Sequence, residues 1–119
     1  MAAEVEAHPV AGFLREIVAT MVRRNDAGLS AHQLAVFLSC YLADGDITVR
    51  EMAQEIGASK ASITRSFDKL VERGLVARQS DPTDGRLVYV RRTKAGVDLL
   101  AEMSAIGQNL MQRSEAKAA

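Results

Sequence analysis

Residues 48–93 read TVREMAQEIGASKASITRSFDKLVERGLVARQSDPTDGRLVYVRRT, and this stretch decides the fold. Thr48 and Glu51 have the T-x-x-E spacing of a capping box, in which hydroxyl and carboxylate each satisfy an unpaired helix N–H. Val49, Met52, Ala53 and Ile56 follow at helical spacing and make one apolar face. Gly57 suits the left-handed stop of this first helix. Ser59 caps a second helix, predicted from Lys60 to about Arg73 with Gly74 as its stop. Its apolar face is Ile63, Phe67 and Leu70. Ala61, Ser62, Arg65, Asp68, Lys69 and Glu72 fall on the other side.

Two short helices joined by a tight turn make a helix-turn-helix. Leu75–Gln79 and Leu87–Arg91 are rich in Val, Leu and Tyr and read as strands. The SDPTDGR between them is dense in turn formers, so the strands form a hairpin. A hairpin placed directly after a helix-turn-helix is a wing. The expected fold is therefore mainly α with a small β-hairpin wing. The outer face of the second helix carries small, hydroxyl and cationic side chains at its start. Small residues permit close approach to a DNA major groove, hydroxyls bond phosphates or base edges, and Arg bridges guanine O6 and N7. The bland alternative is a solvated helix surface. At the hairpin tip, Arg86 has the chemistry for a narrow minor groove.

The segment DPTDGR (Asp81–Arg86) resembles the D-P-x-D-x-R wing of the multiple-antibiotic-resistance regulator (MarR) family of bacterial repressors. The resemblance extends upstream through LSAHQLAVFLSCYL and IGASKASITRSFDKLVERGLV, and downstream through RRTKAG, covering Leu29 to Leu100. It implies a homodimeric winged-helix transcription regulator that binds a pseudo-palindromic DNA operator. By position, Ser59, Lys60, Ser62, Thr64 and Arg65 fall on the recognition helix, with Lys69 further along it. Arg86 is the wing arginine, braced by Asp84, and Arg78 lies on the wing's first strand. Arg92 departs from the family pattern, which usually has an apolar residue there. Small aromatic acids often act as effectors in the family, binding between the dimer helices and the DNA-binding lobe. Phe13, Met21 and Tyr41 are candidates for such a pocket, against the alternative that they are simply core.

Outside this stretch, Val10, Phe13, Leu14, Ile17, Val18 and Met21 predict an amphipathic helix from Pro9 to near Arg24, broken by RNDAG. Ser30 and Gln33 repeat the capping-box spacing. The helix that follows, Ala31 to about Ala43, is apolar nearly all round and predicts burial on several sides. Ile47 is expected either as a short third strand beside the wing or as a staple on the next helix. Thr93 caps a last helix, with Val97, Leu99, Leu100, Met103, Ile106, Leu110 and Met111 as its stripe, running to about Arg113. A bare winged helix needs neither terminal helix. The expected organisation is one domain: a DNA-binding lobe at 29–93, with dimerisation helices at 1–28 and 94–119. The alternative is that both helices pack within one subunit.

Length and composition agree with this reading. At 119 residues there is room for one small domain. Net charge is zero, but residues 59–94 hold nine Lys and Arg against four carboxylates, a net +5 on the segment assigned to DNA. No apolar run spans a bilayer, and the N-terminus lacks the pattern of a secretory signal. A lone cysteine fits a reducing cytoplasm, and the resemblance implies a bacterial one. Cys40 has apolar helix neighbours, which favours plain burial over redox sensing. His8 and His32 lie far apart without other ligands at metal spacing, Asp44 and Asp46 read as a turn, and no catalytic motif appears. The expectation is a DNA-binding regulator with no metal, cofactor or enzymatic activity and no membrane association. The alternative is a winged helix serving as a protein-interaction module or antirepressor.

Overall fold

The computed structural model describes residues 8–23 and 28–118, with side chains in the last helix as far as Arg113. Most of the RNDAG break, and the polar start of the chain, lie outside the described residues. Five helices and one hairpin are seen in order: α1 (Pro9–Arg23), α2 (Ala31–Leu42), α3 (Val49–Ile56), α4 (Lys60–Glu72), β1 (Val76–Ser80), β2 (Val88–Arg92) and α5 (Lys94–Ala118). The chain divides into two units, one of Met1–Gly28 with Ala101–Ala119 and one of Leu29–Leu100.

In the Leu29–Leu100 unit, local chemistry starts and stops the helices where the spacing predicts. Ser30 and Thr48 form full capping boxes with Gln33 and Glu51. Ser59 accepts the Ser62 N–H at 3.1 Å. Each such cap is worth about 1 kcal/mol. Gly57 closes α3 at φ 77°. Gly74 closes α4 at φ 71°. There the Gly74 N–H donates to the Val71 carbonyl at 2.9 Å and the Leu75 N–H to the Leu70 carbonyl at 3.0 Å, a Schellman closure. That closure explains one difference from the sequence reading. Leu75 still belongs to the helix stop, so β1 begins at Val76.

The hairpin is antiparallel, with Val76 opposite Arg92, Arg78 opposite Val90 and Ser80 opposite Val88. Ile47 adds no full strand. Its carbonyl accepts from the Val90 N–H at 3.1 Å, and Thr48 pairs with Tyr89 as a single bridge. Thr48 is already the cap of α3, so the backbone turns away after that one pairing.

The core of this unit lies between α2, α3, α4 and β2. Val36, Phe37, Met52, Ile63, Phe67, Leu70 and Val76 are almost wholly buried. Burial of each large side chain contributes about 1.5–3 kcal/mol. Phe37 and Tyr41 pack as a tilted pair, with ring centroids 4.8 Å apart and planes at 38°. Helix α2 is less enclosed than its composition suggests. Leu42 is 70% exposed, because α4, α3 and β2 cover only the side of Val36, Phe37, Cys40 and Tyr41.

A clasp joins the ends of the winged helix. The Tyr41 hydroxyl donates to the Leu75 carbonyl at 2.6 Å and accepts from the Thr93 N–H at 3.2 Å. The Thr93 hydroxyl donates to the Gly74 carbonyl at 2.7 Å and accepts from the Gly96 N–H at 3.1 Å, which caps α5. Arg92 donates to the Ala43 carbonyl at 3.1 Å and lies over the Tyr41 ring. The residue that departs from the family pattern is thus a cation stacked on this clasp.

In the other unit, α1 carries Val10, Leu14, Val18 and Val22 at intervals of four. All are exposed, from 42% at Val18 to 75% at Val10. Helix α5 runs to Ala118, beyond the predicted end near Arg113.

Candidate nucleic-acid interface

Helix α4 turns Ile63, Phe67 and Leu70 into the core, which fixes its other faces outward. Lys60, Arg65 and Lys69 are exposed, while Ser62 and Thr64 are half-buried. The serines are partly committed to the helix start. Ser59 accepts the Ser62 N–H, keeping its own hydroxyl hydrogen for an outside acceptor such as phosphate. The Ser62 hydroxyl donates to the Ser59 carbonyl at 3.0 Å, so towards a ligand it presents lone pairs. Lys69 pairs with Glu72 at 3.3 Å on the surface.

The wing is shaped by two carboxylates. Asp81 Oδ1 accepts from the Thr83 N–H at 2.8 Å, the Thr83 hydroxyl at 2.7 Å and the Asp84 N–H at 3.0 Å. The Thr83 side-chain bond leads in holding the Asp81 carboxyl down at about 2, followed by the two backbone N–H bonds. Two backbone bonds close the loop, Asp81 N–H to the Leu87 carbonyl and Leu87 N–H to the Asp84 carbonyl, each 3.0 Å. Asp84 then accepts from both the backbone N–H of Arg86, at 3.1 Å, and its Nε, at 3.2 Å. The Arg86 side chain is 92% exposed. Asp84 therefore aims a guanidinium that nothing covers.

The structure sorts the sequence candidates onto two flanks of α4. Towards the wing, a cleft of about 560 Å³ gathers Lys60 and Thr64 of α4, Arg78 of β1, and Asp84 and Arg86 of the wing. Arg50 at the start of α3 and Asp68 of α4 line it too. The cleft holds four cations against two carboxylates, a surplus that attracts an anion. On the other flank, Ser62, Arg65 and Lys69 share a groove of about 530 Å³ with Ser30, the cap of α2, and His32 and Gln33 of α2. Ser59 serves as the cap between them. Arg50 was not singled out in the sequence, and Asp68 was placed on the outer helix face without a role. Arg50 looks like any exposed position in a first helical turn. Asp68 gains its meaning from Arg78, with which it forms an ion pair.

Of the proposed effector residues, two lie in one unit and one in the other. Phe13 and Met21 belong to the first. Tyr41 belongs to the second, where its hydroxyl is consumed by the clasp. Cys40 packs its sulfur 3.5 Å from that of Met52. Burial pushes its thiol up to about 12, against a smaller opposing pull from Arg92. Among the described residues no cluster of His, Cys, Asp or Glu is placed to hold a metal ion, and no helix is long and apolar enough to cross a membrane.

The same architecture recurs in solved structures. YusO from Bacillus subtilis is 23% identical, with 95% of this chain covering 77% of that one at a TM-score of 0.73. The MarR C80S mutant from E. coli, complexed with operator DNA, is 25% identical, with 93% of this chain covering 77% of that one at 0.67. MepR of S. aureus in its DNA complex is 16% identical, with coverage of 92% and 87% and a TM-score of 0.74. The MarR family model matches residues 27–87, just over half of the chain, and takes in the helix-turn-helix and the wing as far as Leu87. The chain belongs to the MarR family, a family of winged-helix transcription regulators and not of enzymes.

Proposed function

We propose that the protein is a homodimeric repressor of the bacterial cytoplasm that binds a pseudo-palindromic double-stranded DNA operator. The observation that carries this reading is the cationic cleft between α4 and the wing, with Arg86 held out by Asp84. The fold shared with two structures of DNA complexes, of E. coli MarR and S. aureus MepR, supports it. In this reading α4 enters the major groove, where Arg65 meets a base edge and Ser59, Lys60, Thr64 and Lys69 meet phosphates. Ser62, with its hydrogen already donated, accepts from a base amino group. Arg86 reaches the flanking minor groove. Residues 29–93 form the DNA-binding lobe, and residues 1–28 and 94–119 pair two copies. The exposed Val10, Leu14, Val18 and Val22 stripe is apolar surface of the kind a two-fold partner covers. Release by a small aromatic acid belongs to the same proposal and requires that the acid bind one state of the dimer better than the other.

The test is affinity for double-stranded DNA across a salt series, with the mass of free and bound protein recorded. The expected result is a dimer whose log affinity falls linearly with log salt. Arg86→Ala makes the slope shallower, and Arg65→Ala costs about 1–3 kcal/mol on the operator only. A folded dimer without DNA affinity at low salt overturns the proposal and points to the protein-interaction alternative.

A further inference from the structure

Arg78 sits on β1 but is turned towards the recognition helix. Its guanidinium pairs with the Asp68 carboxylate of α4 and lies 5.4 Å from the ring centroid of Phe67, the residue before Asp68. Phe67 is 1% exposed, so the guanidinium rests on a fixed part of the core. Opposite Arg78 on β2 is Val90, itself buried and bonded through its N–H to Ile47. This rung is therefore the point at which the sheet is held from both sides. One rung further out Tyr89 still bridges to Thr48, and beyond that the wing depends on its own turn. Before the Arg78 rung the chain pivots at the Gly74–Leu75 helix stop.

We infer that Arg78 is a positioning residue, a strut that with Asp68 fixes the wing relative to the recognition helix. The inference rests on the proposed DNA-binding role. A major-groove helix and a minor-groove arginine must engage one duplex together. Their separation is then part of the recognition, and a rigid link between β1 and α4 helps to set it. Arginine suits the task because its planar fork bonds a carboxylate while its face stacks on an aromatic ring. A direct phosphate contact fits the geometry less well. One arm of the fork is already engaged, and the carboxylate beside it repels phosphate. Asp46 with Arg91, at 3.0 Å, braces the other strand against the α2–α3 turn in the same manner, away from the cleft.

The experiment compares Arg78→Met, Asp68→Asn and the charge-swapped pair, Arg78→Asp with Asp68→Arg. Two readouts are used: amide hydrogen exchange of β1 and β2 in the free protein, and DNA affinity over a salt series. The strut requires faster wing exchange in both single variants, with much of the protection restored in the swap. It also requires both singles to weaken DNA binding by roughly two- to five-fold, the scale of a half-exposed ion pair, at an unchanged salt slope. The opposite pattern overturns it: a slope reduced by about one phosphate in Arg78→Met, together with tighter binding by Asp68→Asn. Wild-type wing exchange in both singles overturns it as well. Should Arg78→Met not fold, Arg78→Lys keeps the charge and loses the fork. The strut then requires weaker binding at the same slope, and a phosphate contact requires retained affinity. If the wild-type protein does not bind DNA, the functional proposal fails, while the exchange data on the free protein still decide the strut.

Discussion

Tyr41 and Gly96 interlock. A Cβ built on Gly96 would stand 1.7 Å from the Tyr41 hydroxyl oxygen and 2.2 Å from the Leu75 carbonyl oxygen. The first turn of α5 thus lies against the bond by which α2 holds the chain just after α4. Only a residue without a side chain permits this approach.

Gly96→Ala therefore reverses the usual helix rule. In an open helix, replacing Gly by Ala gains up to about 1 kcal/mol. Here one neighbour is backbone, so the clash forces the Tyr41 clasp apart, at a cost of about 1–3 kcal/mol. Urea unfolding of the two proteins checks the sign, and a variant more stable than wild type refutes the interlock.

Tyr41→Phe keeps the ring packed on Phe37 and removes the clasp's centre. The Leu75 carbonyl loses a donor and the Thr93 N–H an acceptor. The expected loss is about 1–3 kcal/mol, the penalty for leaving part-buried polar groups unpaired. Double-mutant analysis with Thr93→Val should show less than additive loss, because the two hydroxyls serve one junction.

Cys40 is expected to be inert in the folded protein. At pH 8, a thiol reagent should modify it only at the rate of unfolding. Its pKa is raised in the fold, from 9.0 to about 12, chiefly by burial. The neutral thiol therefore contributes stability that is fully present below pH 9.0 and is lost as pH rises towards about 12. Cys40→Ala should show a flatter decline in unfolding free energy over that alkaline window.

The wing carries the opposite dependence. The Asp81 pKa is lowered from 3.8 to about 2 by its bonds to Thr83 and Asp84. The resulting stabilisation is present above 3.8 and is lost as pH falls through about 2. The amide signals of Thr83 and Asp84 should titrate with a midpoint near 2, and Asp81→Ala should abolish that titration. A midpoint at the ordinary carboxylate value would remove Asp81 as the organiser of the turn.

Whatever is settled within about one helical turn can be read along the chain. Ser30, Thr48 and Ser59 announce helix starts because a cap and its partner lie three residues apart. Gly57 and Gly74 announce stops because the left-handed backbone there favours a residue without Cβ. DPTDGR announces the hairpin because its carboxylates bond amides two and three residues on. The family was legible for the same reason. Only the tertiary structure decided the relationships that join distant residues. Tyr41 meets Gly96, Arg78 meets Asp68, Leu42 is left uncovered, and the candidate DNA contacts divide between two flanks of α4. Periodicity tells which face of an element is apolar, but not which neighbours come to cover it. Charge pairs and close approaches arise only once packing has placed those neighbours side by side.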